Sequence, residues 1–346
     1  MKSVKAGLHE VMWRSHAVVL LRRLDAQPDL LRVLLYHRVD DLRSLGSGDP
    51  NLISATPAAF EAQMNYLVRY YCPIEPRALL DAIQNGTPLP PRAVLVTFDD
   101  GYRDFQTYAW PILRHHQIPA VLFVPTAFPG SGRTFWWDAL HGLLMATRRP
   151  AVTFPDGTTH TLSSDHDRRA AVRRLNAVLR RTRPEVVDAL LQQLQEICEV
   201  PQPQPSPMLG WDELRRLSGD GLTVASHTQT HPAIPTLTQE EIEREVRGSQ
   251  ADLRRELGEA VPMFSYPLGM ADPRADDVLS ATGVLAAFTA APGRNRMGRS
   301  ALLHLRRRAI NGSRSFADFS LSLISFYSWF QERSADRIRS AVSIQS

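Results

Sequence analysis

Short apolar runs that end in polar residues recur along the chain, with helix-like stretches between them. Continuous apolar runs of this length are typical of strands that are buried on both faces. Alternation of such strands with helices predicts a parallel α/β sheet, either a barrel or a doubly wound sheet. The predicted strands are Val33–His37, Ala93–Phe98, Ala120–Val124, Leu222–Ser226 and Pro262–Tyr266.

Three other segments differ from this alternating pattern. Residues 1–31 place apolar and basic side chains at helical spacing, which predicts an amphipathic helix that packs on the domain or lies on a membrane surface. Residues 147–207 are rich in Arg, Leu and Gln and end in a proline-rich run, so we interpret them as a helical insertion in a domain at 32–315. Residues 316–346 carry an apolar stripe and predict a C-terminal helical segment that closes the barrel or contacts lipid.

Composition limits the classes of function. With 43% hydrophobic and 22% charged residues, the chain has the composition of a soluble globular protein. Its net charge of +4 comes from arginines interleaved with acids, which argues against nucleic acid as a partner. The apolar run Ala17–Leu21 is too short for a signal-peptide core. We therefore expect a cytoplasmic protein, with peripheral contact at the inner membrane face left open.

Two acids follow the second predicted strand directly, in the sequence Asp99-Asp100-Gly101. The carboxyl ends of parallel strands are where α/β enzymes place ligands and catalytic groups. One carboxylate can then take a metal while the other lies beside a water molecule. The alternative is a turn in which one acid caps the following helix.

Two histidines, His227 and His231, follow the fourth predicted strand. Their i, i+4 spacing places both imidazoles on one face of a helical turn, which Ser226 would cap and Pro232 would limit. The alternative is a pair of surface histidines on a loop. Two imidazoles and one carboxylate form a three-ligand site that leaves positions open for water and substrate, as catalytic zinc or a similar ion requires.

These motifs resemble the polysaccharide deacetylase family, carbohydrate esterase family four. The resemblance implies a deformed (β/α) barrel with fewer than eight strands and one catalytic divalent metal, usually Zn²⁺, with Co²⁺ or another divalent ion as alternatives. The segments that carry it are Leu35–Val39, Thr97–Gly101, His227–His231 and Tyr266–Gly269.

The resemblance assigns a role to each residue of these motifs. It implies that Asp99 is the general base and that Asp100, His227 and His231 are the metal ligands. It also implies that the backbone N–H of Leu268 helps to bind the oxyanion. In many members the base is oriented by an arginine that lies just ahead of the Pro-x-Gly turn. This chain has no arginine there, but Phe264-Ser265-Tyr266.

The late part of the domain allows two alignments. Leu302-Leu303-His304 is a loose counterpart of the family segment that supplies a catalytic acid, which would make His304 that acid. Leu305-Arg306-Arg307-Arg308 aligns instead with a Leu-Pro-Arg segment of a variant subgroup, which would place Arg307 near the site.

Three further side chains are candidates for binding substrate. Tyr266 precedes the oxyanion turn, and His37 follows a strand that ends at the same rim, where it could contact substrate or be a buried structural histidine. Trp137 could stack on a sugar ring or pack in the core.

The function implied is removal of an N-acetyl group from an amino sugar in a glycan, oligosaccharide or lipid-linked saccharide, so a carbohydrate is the expected partner. Two alternatives stay open: a deformylase or other N-deacylase with the same site, and a non-catalytic glycan-binding protein on the same scaffold. The oligomeric state is not predicted.

Overall fold

The computed structural model describes residues 29–41, 49–154, 157–201 and 206–324. Most of the predicted N-terminal helix, and the part of the C-terminal segment after residue 324, lie outside these ranges. Leu30 and Leu31, the end of the predicted helix, are instead extended, because they pair with Arg296 and Asn295 of an antiparallel strand.

All five strands predicted from the sequence are present: two have the predicted ends, and the ends of the other three differ by one to three residues at most. The strands are β1 (Leu30–Tyr36), β2 (Arg38–Val39), β3 (Ile53–Ala55), β4 (Cys72–Pro73), β5 (Ala93–Phe98), β6 (Ala120–Val124), β7 (Ala151–Thr153), β8 (Thr159–Thr161), β9 (Thr223–Ser226), β10 (Met263–Ser265), β11 (Ala286–Phe288), β12 (Asn295–Arg296) and β13 (Arg308–Ala309).

Helices follow most of these strands in the chain. They are α1 (Pro57–Tyr70), α2 (Pro76–Asn85), α3 (Trp110–His115), α4 (Trp136–Ala146), α5 (Asp165–Leu179), α6 (Pro184–Cys198), α7 (Trp211–Gly219), α8 (Gln239–Leu257), α9 (Arg274–Ala281) and α10 (Phe316–Ser322). None of the helices in the described ranges has the length and apolar character that crossing a membrane requires.

The main sheet is curled into a deformed barrel. Its strands run in the order β11-β10-β9-β6-β5-β1-β12, and all neighbours are parallel except β1 and β12. The segment from Leu305 to Ala309 bridges the two sides, because Leu305 pairs with Phe288 of β11 while Arg308 pairs with Leu34 of β1. Arg306 and Arg307 lie between these contacts in this barrel-closing segment, and the side chain of Arg307 is fully buried.

The alternation of side chains along each strand fills two hydrophobic layers. In β5, Ala93 and Leu95 pack in the barrel interior with Phe123 and Phe288, whereas Val94, Val96 and Phe98 pack under the surrounding helices. Both faces are apolar because successive residues of a strand point to opposite sides and both sides are covered. In β5 the one polar side chain, that of Thr97, lies next to the carboxyl end of the strand.

The predicted insertion contains the helices α5 and α6, but also a hairpin formed by β7 and β8. Together with α4 it has a hydrophobic cluster of its own, which includes Leu144, Leu175 and Leu194. At the other end of the domain, α10 begins at a Ser315 capping box, and Phe319, Leu323 and Ile324 are buried. These residues of the predicted apolar stripe pack in the domain.

Candidate active site

The two acids lie where β5 ends and the chain turns sharply. Asp100 has φ +79° and Gly101 has φ +80°, so the backbone leaves the strand direction immediately after Asp99. Asp tolerates this left-handed conformation better than most residues, and glycine has no Cβ to oppose it. The turn directs two adjacent carboxylates, both buried, into one cavity.

Asp99 is held by a fully buried arginine that comes from the barrel-closing segment. Nη1 of Arg307 donates to Oδ1 of Asp99 at 2.7 Å, and Nη2 donates to Oδ2 at 2.7 Å. Ser265 Oγ accepts from Nη2 at 2.8 Å and donates to Asp99 Oδ2 at 3.1 Å. Arg307 thus orients the carboxylate in a bidentate pair, the role that the sequence leaves without an arginine on β10.

The charge state of Asp99 follows from these contacts. Burial by itself raises the pKa of the Asp99 carboxyl, but the charge and hydrogen bonds of Arg307, together with His227, hold the pKa below its ordinary value. Asp99 is therefore an ionised carboxylate at neutral pH, which is the state that a general base requires.

Asp100, His227 and His231 form a buried cluster in which the ligand atoms all lie within 4.8 Å of one another. Oδ1 of Asp100 lies 3.6 Å from Nε2 of His227 and 3.4 Å from Nε2 of His231. Nδ1 of His227 donates to the backbone oxygen of Ser265 at 2.7 Å. This bond leaves the lone pair of Nε2 facing the carboxylates in the neutral ring, so the group fits a cation held between the three side chains.

The charges of this cluster agree with such a site. Burial alone would raise the pKa of Asp100, but the two imidazoles beside it hold that pKa far below its ordinary range. Burial lowers the pKa of His231 despite the neighbouring Asp100. A carboxylate and a neutral imidazole are the protonation states in which these side chains bind a metal.

The histidine segment is not the helical turn that its i, i+4 spacing predicts. Thr228 and His231 have φ values of +66° and +62°, and the backbone N–H groups of Gln229 and Thr230 both donate to Oε2 of Glu245 on α8. Glu245 thus binds two backbone N–H groups like those that the first turn of a helix leaves without an intrahelical partner. The rings of His227 and His231 still meet, with centroids 4.7 Å apart.

The turn at Leu268 and Gly269, which the sequence predicts to bind the oxyanion, lies at the border of the same cavity. Leu268 has φ +56°, and its neighbour Gly269 has φ +68°. A Cβ on Gly269 would lie 2.1 Å from Cβ of Ala290 and 2.5 Å from its backbone N, so only glycine fits. The close approach of the chain at Ala290 fixes the position of Leu268, which lines the cavity together with Asp99 and His231.

Trp137 packs against a metal-ligand candidate. Its ring is stacked on Phe135 at 4.3 Å and meets His231 edge-on at 5.0 Å. Nε1 of Trp137 donates to the Tyr102 hydroxyl, which donates in turn to Asp138. The indole is only 6% exposed, so its main contacts are with this wall, although its edge lines the cavity.

The other residues that the sequence predicts for the site are His37, Tyr266 and His304, and they do not all line the cavity that holds Asp99. His37 lines the cavity, which has a volume of about 260 Å³, and its backbone N–H donates to Ser54. Tyr266 is buried and donates to Asp276. His304 stacks on Tyr266 and its Nε2 lies 2.9 Å from both Asp276 oxygens. The structure places His304 in a neighbouring groove and not among the residues that line the catalytic cavity.

Sequence reasoning missed two contributions to the site. Ser265 bridges Asp99 and Arg307, and its small side chain at the position of the missing arginine was a signal that could have found it. Asn176 and Arg180, which belong to the insertion, also line the cavity. The sequence of α5 offers no local signal for that, because it depends on how the insertion packs.

Comparisons with known proteins agree with this geometry. A family model described as polysaccharide deacetylase matches residues 86–287. Poly-beta-1,6-N-acetyl-D-glucosamine N-deacetylase from Escherichia coli (strain K12) is 37% identical over 87 residues, which are 25% of this chain and only 12% of that protein.

Two solved structures share the fold. The deacetylase PplD from Streptococcus pyogenes, in complex with acetate, has a TM-score of 0.57 and 18% identity and covers 86% of this chain and 99% of its own. IcaB from Ammonifex degensii has a TM-score of 0.56 and 20% identity and covers 87% of this chain and 98% of its own. These likenesses confirm the predicted deformed barrel. Because the family model spans more than half of the chain, the protein belongs to the polysaccharide deacetylase family.

Proposed function

We propose that this protein is a metal-dependent N-deacetylase of an amino sugar in a glycan or saccharide conjugate. The observation that carries the proposal is the Arg307-oriented carboxylate of Asp99 beside the Asp100, His227 and His231 cluster, in one cavity. Family membership supports the chemistry, and the E. coli relative, by its name, deacetylates poly-β-1,6-N-acetyl-D-glucosamine.

The metal would be held by Asp100, His227 and His231, and a mixed nitrogen and oxygen ligand set of this kind suits Zn²⁺ or a similar ion. A divalent ion bound there would act as a Lewis acid, which lowers the pKa of a water molecule to near neutral and polarises an acyl carbonyl. The side chains around it do the rest of the work.

Asp99 removes the proton from the attacking water, because its carboxylate is ionised and fixed at the cavity wall. The acyl carbon gains the oxygen of water, and the backbone N–H of Leu268 stabilises the negative charge that develops on the carbonyl oxygen. The C–N bond then breaks, and the amine leaves with a proton. Protonated Asp99 or His37 supplies that proton, since both line the cavity and His304 does not.

The test is acetate release from N-acetylated saccharides by protein that has been stripped of metal and reloaded with zinc or cobalt. We expect release only with metal, and a loss of at least about a hundredfold in Asp99→Asn, the usual scale for removing a general base. His227→Ala should lower the bound metal below one per chain, whereas Asp99→Asn should retain it.

Other outcomes would select other functions. Release of formate from N-formyl sugars, with no acetate from the N-acetyl series, would identify a deformylase. Saccharide binding that is unchanged by Asp99→Asn, with no acyl release and no bound metal, would contradict the proposal and favour a glycan-binding protein.

A further inference from the structure

A second groove adjoins the catalytic cavity on the far side of the oxyanion turn. It has a volume of about 590 Å³, and four residues are common to the two spaces. The shared residues are Arg180, Leu268, Gly269 and Ala290. A saccharide whose N-acyl group reaches Asp99 can therefore extend past Leu268 into this groove.

Two arginines place positive charge in the groove, and a histidine that is paired with Asp276 also lines it. Arg180 comes from the end of α5 in the insertion, Arg306 comes from the barrel-closing segment, and His304 lies between α9 and that segment. Within the described ranges, no Asp or Glu side chain lines the groove. Its charge therefore differs from that of the catalytic cavity, which Asp49, Asp99 and Asp100 line.

Neither arginine is neutralised by a carboxylate. Nη2 of Arg180 donates to the backbone oxygen of Leu268 at 3.2 Å, and Nη1 of Arg306 donates to the backbone oxygen of Pro292 at 3.3 Å. Among the residues that the structure describes, neither guanidinium forms an ion pair. Burial and the adjacent Arg181 lower the pKa of Arg180, as expected for a cation without a counter-charge.

Each guanidinium therefore keeps donors that are free to bind a ligand while one contact fixes its position. Guanidinium groups recognise phosphate and carboxylate through pairs of parallel N–H donors. We propose that this groove binds an anionic group of the substrate, a phosphate or a carboxylate, on the sugar unit next to the one that loses its acyl group. This inference rests on the proposed function, because it assumes that the neighbouring cavity holds the N-acyl sugar.

The test compares three N-acetylglucosamine disaccharides that differ in charge. One is a neutral methyl glycoside, one carries a 1-phosphate, and one has a uronic acid as its second sugar. We expect kcat/KM to be about tenfold to a hundredfold higher for one anionic compound than for the neutral one, which is the scale of a charge-assisted hydrogen bond. The anionic compound that is preferred distinguishes phosphate from carboxylate.

Substitution of the groove arginines should remove this preference. In Arg180→Gln and in Arg306→Gln, the ratio of kcat/KM for the anionic over the neutral compound should fall at least about fivefold, most of it in KM. Arg181→Gln is the matched control, because Arg181 is exposed, follows Arg180 directly and does not line the groove. It should keep the wild-type ratio.

Equilibrium binding of the same compounds to metal-loaded Asp99→Asn protein separates this inference from the proposed function. A preference for an anionic compound that Arg306→Gln abolishes would support the groove even if the wild type released no acetate. Equal affinity for all three compounds, or the same change in the Arg181 and Arg306 variants, would overturn the inference while leaving the deacetylase proposal intact.

Discussion

The buried pair of Arg307 and Asp99 gives the sharpest test of the site, because it couples folding to activity. Arg307→Met replaces the guanidinium with an apolar side chain and leaves the Asp99 carboxylate buried without its counter-charge. The lost contacts include both bidentate bonds at 2.7 Å and the bond from Nε to the Thr289 oxygen at 2.9 Å. Breaking a buried pair by removing one partner costs about 3–5 kcal/mol.

We expect the free energy of unfolding of metal-free Arg307→Met to fall by that amount at pH 7 in urea titrations. The effect should depend on pH in a defined direction. Because the folded pKa of Asp99 is lowered, its stabilising contribution is present above the unfolded value of about 3.9 and is lost as pH falls through the lower folded value. The difference between wild type and variant should therefore be larger at pH 7 than at pH 3.

Activity should change with the same carboxyl. Loss of Arg307 removes the largest contribution that lowers the pKa of Asp99. The pKa therefore rises, and the acidic limb of kcat/KM should move to higher pH. The double variant Asp99→Asn/Arg307→Met removes both charges. Its loss in free energy of unfolding should be smaller than the sum of the losses in the two single variants by at least about 1 kcal/mol. Arg306→Met is the control for the stability measurements, since its guanidinium has no carboxylate partner in the described part of the chain.

Two results would refute this reasoning. One is an Arg307→Met protein within about 1 kcal/mol of wild type, which is the range of an exposed ion pair. The other is additivity of the two single substitutions within about 0.5 kcal/mol, which would mean that the residues do not interact.

Three more predictions concern the surroundings of Asp99. Gly269→Ala should lower the free energy of unfolding in urea titrations by at least about 2 kcal/mol and lower kcat, because its Cβ would meet Ala290 at 2.1 Å. Gly283→Ala is the control, because Gly283 has a similar φ and a Cβ there would meet nothing within 4 Å. That variant should show the backbone strain alone. Tyr102→Phe should lower the free energy of unfolding by about 1–3 kcal/mol, because the lost hydroxyl has two buried hydrogen-bond partners. A decrease below about 0.5 kcal/mol would contradict that network. His304→Asn should lower kcat on a neutral substrate less than about tenfold, whereas a catalytic acid would lose about a hundredfold or more.

The strands and the cluster of Asp100, His227 and His231 were predictable because each depends on a local pattern. The apolar runs before Asp99 and before His227 each predict a strand, and each strand ends in polar residues at its carboxyl end. Parallel topology then brings the two ends together without any further information. The same local pattern was misleading for the conformation of the histidine segment, since Glu245, from the following helix, decides it.

The groove and the packing of the insertion against the catalytic rim were not predictable in this way. The apolar spacing of α5 and α6 indicates helices, but not which side chains at the end of α5 reach the catalytic rim. That depends on contacts between α4, α5 and α6, which join residues far apart in the sequence. The hairpin of β7 and β8 was missed because strands of three residues are too short to show a period.

The arginine that orients Asp99 comes from a different segment than the one in which the family resemblance places it. Ser265 Oγ is in hydrogen-bond contact with both Arg307 and Asp99, so a long side chain on β10 would occupy the space of the guanidinium. The two positions are therefore coupled: a small residue at 265 makes room for the arginine at 307, and the arginine at 307 makes one at 265 unnecessary. The barrel-closing segment can supply it because Leu305 pairs with β11 and Arg308 pairs with β1, and the side chain of Arg307 between these contacts reaches Asp99. The guanidinium that pairs with Asp99 thus comes from the barrel-closing segment, and the sequence around β10 alone could not reveal it.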